Sequence, residues 1–251
     1  MTDTGLSLAN PPIIEAVVDI HCDLPPSIVP AEIYERAKEL FRDAYPKARR
    51  QVIEQIELRK EARKPVEHSI REQIGALQFR TEDEKQLVQI RPEGYSFNRL
   101  APYGSLDDYL PEIERTWTIF RELTEPVQIR RVGLRFINRI LLPMVEGRVK
   151  LNEYLRISRP LLDEDTLEFA GFVNQHSANE TSTGNRVNMT LVAQPPEGDR
   201  LPVIFDINAF NLEPRAPDDW EGIRETISSL RRLKNRVFKR TLTKQCLNLF
   251  R

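Results

Sequence analysis

A chain of 251 residues is long enough to bury a large core without disulfide or metal staples. Its 37 Lys and Arg balance 38 Asp and Glu, leaving a net charge of −1, which argues against a nonspecific polyanion binder. Two cysteines make no disulfide framework, three histidines (His21, His68, His176) show no zinc-ligand spacing, and no run approaches the roughly 18 apolar residues of a membrane helix.

Residues 1–10 read as a flexible tail without an apolar signal core, so a cytoplasmic protein is expected. Ile13–Cys22 reads as a strand: Ile14, Ala16, Val18, Ile20 and Cys22 alternate with Glu15, Asp19 and His21. Pro30 suits the first turn of a helix that runs to about Tyr45, with Ile33, Ala37, Leu40 and Phe41 on its core face. Val52–Leu58 reads as a strand, and the charged stretch 59–73 as a loop. Gly75–Arg80, Gln86–Arg91 and Tyr95–Leu100 read as short antiparallel strands. In the last two, Val88, Ile90, Tyr95 and Phe97 form the apolar set and Gln89, Arg91, Ser96 and Asn98 the polar one. Ser105 with Asp107 and Asp108 marks the start of a long helix to about Leu123.

After Pro126 the pattern starts again. Val127–Leu142 predicts a long strand whose apolar set includes Val132, Leu134, Phe136 and Ile140, while Arg131, Arg135 and Arg139 occupy the other face. A short helix at 151–157 follows. Leu167–His176 reads as a strand with Leu167, Phe169, Gly171 and Val173 inward, and 177–185 as a loop. Arg186–Gln194 and Leu201–Asn208 read as strands. A helix over about 218–238 presents Trp220, Ile223, Ile227, Leu230, Leu233 and Val237, and Thr243–Phe250 adds a last helical turn or two. Cys22 and Cys246 fall on apolar faces and read as buried free thiols.

The fold class is therefore α+β. Two halves, 11–125 and 126–251, each read strand, helix, antiparallel strands, long helix, and they pack as one unit. That order resembles the TATA-binding-protein-like or helix-grip class, in which a curved antiparallel sheet is backed by long helices. PPIIEAVVDI at 11–20, QIRPEGYSFNRLAPYGSLDDY at 89–109, RRVGLRFINRI at 130–140 and LKNRVFKRTLTKQCLNLF at 233–250 together resemble a sporadically distributed bacterial and archaeal family of uncharacterised proteins. The patchy distribution of that family implies mobile loci, such as antiphage defence or toxin–antitoxin systems. It implies no activity and no catalytic residues.

Three groups of residues are candidates for function. The polar side of the sheet collects Glu15, Asp19, Arg80, Arg91, Asn98, Arg131, Arg135 and Arg139, with His176 and Asp206 on matching sets. Arginine forks bind carboxylate or phosphate in bidentate fashion. The plainer alternative is a solvated face with cross-strand ion pairs. The second group is the basic run Arg231, Arg232, Lys234, Arg236, Lys239 and Arg240, a phosphate-binding helix face or simply a solvated one. The third is aromatic: Tyr95, Phe97, Tyr103 and Trp117 alternate in phase with core positions and read as core. No nucleophile motif or phosphate-cradling glycine loop is present.

These features point to a binding or accessory protein without catalysis or cofactor, monomeric or homodimeric. Its expected partner is a protein, encoded nearby, or a small anionic ligand on the polar sheet face. One alternative is a metal-dependent phosphohydrolase resembling the triphosphate-tunnel enzymes, with Glu15 and Asp19 holding metal; their glutamate–glutamate–lysine alternation is absent here, where Glu15, Val17 and Asp19 stand. A second alternative is nucleic-acid binding through the basic run.

Overall fold

The computed structural model describes residues 8–59, 67–157 and 170–251. The strands are β1 (Ile13–Asp23), β2 (Lys47–Arg59), β3 (Glu67–Arg80), β4 (Gln86–Arg91), β5 (Gly94–Leu100), β6 (Gln128–Pro143), β7 (Val173–Asn179), β8 (Arg186–Ala193) and β9 (Arg200–Asn211). The helices are α1 (Pro30–Phe41), α2 (Leu106–Thr124), α3 (Leu151–Tyr154), α4 (Trp220–Thr241) and α5 (Lys244–Asn248). All nine strands join one antiparallel sheet in the order β2-β3-β4-β5-β1-β6-β9-β8-β7. The sheet is open, with β2 and β7 as its edges.

Alternation explains the layers. Along β1, Ala16, Val18, Ile20 and Cys22 are buried, and their partners Phe136, Leu134 and Val132 in β6 are buried with them. The same side carries Phe79, Val88, Tyr95, Phe97, Phe205 and Ile207. Three helices cover it. Phe41 of α1 stacks on Phe79 at 4.6 Å between ring centroids. Trp117 and Phe120 of α2 lie 5.5 and 5.7 Å from the Tyr95 ring. Phe238 of α4 stacks on Phe205 at 5.9 Å. Each such side chain contributes about 1.5–3 kcal/mol by leaving water.

Tyr45, just beyond α1, ties three elements together. Its hydroxyl donates to Glu112 of α2 at 2.7 Å and accepts from Gln86 of β4 at 2.7 Å. At the other end, Leu155 bridges Leu242, and Thr243 donates its N–H to Tyr154, so α3 and α5 dock together. Residues 8–10 are held as well: Leu8 packs on the core and the Asn10 N–H donates to the Phe250 carbonyl.

Two stretches differ from the sequence reading. The charged stretch 59–73 was expected to be a loop, yet β2 runs to Arg59 and β3 starts at Glu67. The two strands stay paired from Lys47–Arg80 out to Arg59–Glu67. Residues 60–66 of the expected loop lie outside the described residues, and 67–73 become strand through their register with β2, which no local period marks. The expected strand Leu167–His176 lies later, at Val173–Asn179, and takes in part of the expected loop. Val173 is 71% exposed instead of inward, and Gly171 is exposed too. Leu167 and Phe169 lie outside the described residues.

Candidate functional site: the helix-free sheet face

Among the described residues, helices pack on one face of the sheet only. The opposite face is built by the other alternating set, and register aligns it in rows. Asp19 of β1 stands between Ser96 of β5 and Gly133 of β6. Val17 stands between Asn98 and Arg135, and Glu15 between Leu100 and Ile137. Arg135 and Ile137 continue the rows into Asn208 and Asp206 of β9.

Asp19 is the centre of this face. Its carboxylate accepts from Arg91, from Arg131 and, at 3.0 Å, from His21. Burial alone would raise its pKa. The His21 hydrogen bond and the charges of Arg91 and Arg131 outweigh burial and hold the carboxyl well below the usual carboxylate range. Arg131 also donates to Asn208 at 3.1 Å and lies over the Phe210 ring at 4.8 Å. Gly133 makes this possible, because a Cβ there would come within 2.7 Å of the Arg131 guanidinium.

On one side of Asp19 runs an amide network. Gln78 donates to Gln51 at 3.1 Å and to Gln89 at 3.2 Å. Gln89 donates to Ser96 at 3.2 Å and Asn98 at 3.3 Å, and Asn98 donates to Glu15 at 2.7 Å. This crosses β2, β3, β4, β5 and β1. On the other side, Arg135 forms a two-pronged pair with Asp206 at 2.6 and 2.9 Å. Arg139 reaches Glu197 at 2.5 Å.

The structure thus brings Glu15, Asp19, Arg91, Asn98, Arg131, Arg135 and Arg139 onto one face. Register places Arg80 on the same side, opposite Leu87; its Nε is buried without a hydrogen-bond partner. Two details differ from the alternation argument. Asn98 is only 7% exposed and forms the floor of the face. His176 does not share a face with Asp206: Gln175 pairs with Thr190, which pairs with Asp206, so His176 falls on the helix side. His68 has no described side chain. Sequence reasoning missed Gln78, Gly133, Asn208 and Phe210; their roles depend on cross-strand register, which no local pattern encodes.

The C-terminal basic run is dispersed. Arg231 pairs with Asp107 at 2.8 Å, Arg236 pairs with Glu180, and Lys234 lies 3.9 Å above the Phe136 ring on the core side. Arg232, Lys239 and Arg240 are exposed. Tyr95, Phe97 and Trp117 are buried and Tyr103 packs against the core, as their spacing predicted.

No family model, curated protein or solved structure matches this chain. Among the described residues no three of His, Cys, Asp and Glu group as a metal site. The Asp19 carboxylate accepts from three donors, and one Glu15 oxygen accepts from Asn98. Among the described helices none is long and apolar enough to cross a membrane.

Proposed function

We propose that this chain is a non-catalytic, cytoplasmic binding protein that docks a protein partner on the helix-free face of its sheet. The observation that carries this reading is the state of the arginines. Arg91 and Arg131 share Asp19, Arg135 pairs with Asp206 and Arg139 with Glu197, so each of these four arginines stands against a carboxylate. A face balanced in this way offers no bulk field for a polyanion. It does offer donors and acceptors in fixed directions, which lowers the ordering cost of a specific contact.

The order of elements supports reading the two halves as one repeated unit of TATA-binding-protein-like type. β1 and β6 pair at the centre, the order runs outward β5-β4-β3-β2 from β1 and β9-β8-β7 from β6, and a long helix closes each half. In both halves the last strand lies beside the first. The resemblance to a patchily distributed family makes a defence or toxin–antitoxin locus the setting we propose, and the product of a neighbouring gene the first partner to test.

The test is affinity purification of the tagged full-length chain from its host. Arg135 and Arg139 suit it because they lie at the surface of the face. A stoichiometric protein should be retained by the wild type and by Arg224→Ala, an exposed helix-side control. It should be lost, by about tenfold or more in yield, with Arg135→Ala combined with Arg139→Ala, at an unchanged melting temperature. Retention that ignores the double substitution, or no retained protein at all, would overturn the reading.

A further inference from the structure

The two edges of the sheet are built differently. β2 carries Lys47, Arg49, Arg50 and Glu54, and its register shifts between Gln51 and Val52. Charges and irregularities of this kind keep a sheet edge from accepting a further strand. β7 has neither. Its seven residues, VNQHSAN, include no Asp, Glu, Lys, Arg, Pro or Gly, and all but Asn174 are exposed. It pairs with β8 without a shift from Val173–Val192 to Asn179–Arg186.

The hydrogen bonds to β8 determine which backbone groups are left over. Ala193 donates its N–H to the Phe172 carbonyl at one end of the pair, and Glu180 donates to Asn185 at the other. In an antiparallel pair, opposed residues alternate between hydrogen-bonded and non-bonded partners. Phe172, Asn174, His176, Ala178 and Glu180 therefore bond to β8. Val173, Gln175, Ser177 and Asn179 turn their N–H and C=O groups outward, and no described strand lies beyond them.

We propose that this edge pairs with the same edge of a second copy, antiparallel and centred on His176, so that two nine-stranded sheets become continuous. The register follows from the hydrogen-bond alternation. With His176 opposite its own counterpart, Gln175 meets Ser177 of the second copy and Val173 meets its Asn179. All four outward residues of each chain then exchange hydrogen bonds. A centre at Gln175 or at Ser177 leaves one of the four unpaired. The strand is also its own complement in side chains, since the Gln175 amide faces a Ser177 hydroxyl and no charge meets a like charge. On the helix side, an apolar groove of about 320 Å³ lined by Val187, Met189, Leu233 and Val237 reaches His176 and Ala178 at this edge. A strand added there extends the floor of that groove. Because the same surface serves both copies, the contact closes as a dimer. It uses neither Arg135 nor Arg139, so it stands or falls separately from partner docking on the sheet face.

Light scattering on the purified full-length chain should show a mass rising from one copy to two between roughly 1 and 100 µM, and no further. Ser177→Pro removes an outward N–H and leaves the bonds to β8 in place, so it should weaken association about tenfold or more at an unchanged melting temperature. Should proline unfold the chain, His176→Lys replaces it with the same expectation, since it sets two cations face to face at the centre of the contact. Cysteines read the register. A non-bonded antiparallel pair holds its Cα atoms about 4.5 Å apart, within disulfide reach, so His176→Cys should oxidise to a covalent dimer. Ala178→Cys, equally exposed but about 14 Å from its counterpart, should not. Cys22 and Cys246 are buried and do not compete. Three results overturn the proposal. They are a wild type that stays monomeric at roughly 100 µM or grows past two copies; association that ignores both Ser177→Pro and His176→Lys; and crosslinking of His176→Cys no faster than that of Ala178→Cys.

Discussion

Asp19 accepts from Arg91, Arg131 and His21 while only 16% of its own side chain is exposed, and Arg131 is as sheltered. Its depressed pKa ties stability to pH with a definite sign. A carboxyl depressed in the folded state stabilises fully above its unfolded value of about 4, and that share is lost as pH falls from there toward the folded value. Asp19→Asn should therefore cost roughly 2–3 kcal/mol at neutral pH, somewhat below the ~3–5 of a fully buried broken pair. It should also flatten the acid decline between about pH 4 and pH 2. Urea unfolding of both proteins across that range checks this; an equally steep decline in the variant would place the acid sensitivity elsewhere. The positions of Asp19, Arg131 and Arg135 were legible, since strand alternation alone put them on one side. Their pairing was not. Asp206 lies 71 residues from the arginine it holds, and nothing in the intervening chain marks the partnership.

At the scale of elements, α2 shows how a start signal compensates for a weak turn. Pro111 lies inside the helix and removes one backbone donor. The first turn is held by Ser105, whose hydroxyl accepts from the Asp107 N–H at 3.3 Å, while the Asp108 carboxylate accepts from the Ser105 N–H at 3.0 Å. Ser105→Ala should cost about 1 kcal/mol and lower the melting temperature by a few degrees. A melting temperature within error of the wild type would mean that packing of Ile113, Trp117 and Phe120 fixes the helix unaided. The cap and the apolar stripe of α2 were both plain in the sequence, as was the stripe of α4, because a helix is encoded locally. β2 and β3 were legible in part: Val52–Leu58 and Gly75–Arg80 read as strands and lie in them, whereas 67–73 carried no period and become strand through their register with β2.

For the whole molecule, the two cysteines report on integrity. Burial pushes the Cys22 thiol up to about 12, with Asp23 and Asp19 adding to it, and burial alone pushes Cys246 up to about 12. They sit in different halves, one under the central strands and one in the C-terminal helix. Both should resist iodoacetamide in the native protein at pH 8 and react together once denaturant unfolds it, as mass spectrometry of the alkylated chain would show. Labelling of Cys246 before Cys22 would reveal that the C-terminal end opens on its own. The α+β class and the run of elements could be read from the chain, because each element carries its own periodicity. The single nine-stranded sheet could not, since it depends on β1 and β6 finding each other across the halves.

That central pairing also constrains synthesis. Val18 aligns with Leu134, 116 residues further along, so β1 leaves the ribosome long before its second neighbour exists. Until β6 emerges, the nascent first half presents β1 as a bare edge with an oily underside, the kind of surface to which other chains add. Production of the first half alone should therefore yield inclusion bodies. Once the second half has arrived, β6 covers that edge from Ile13 to Asp23.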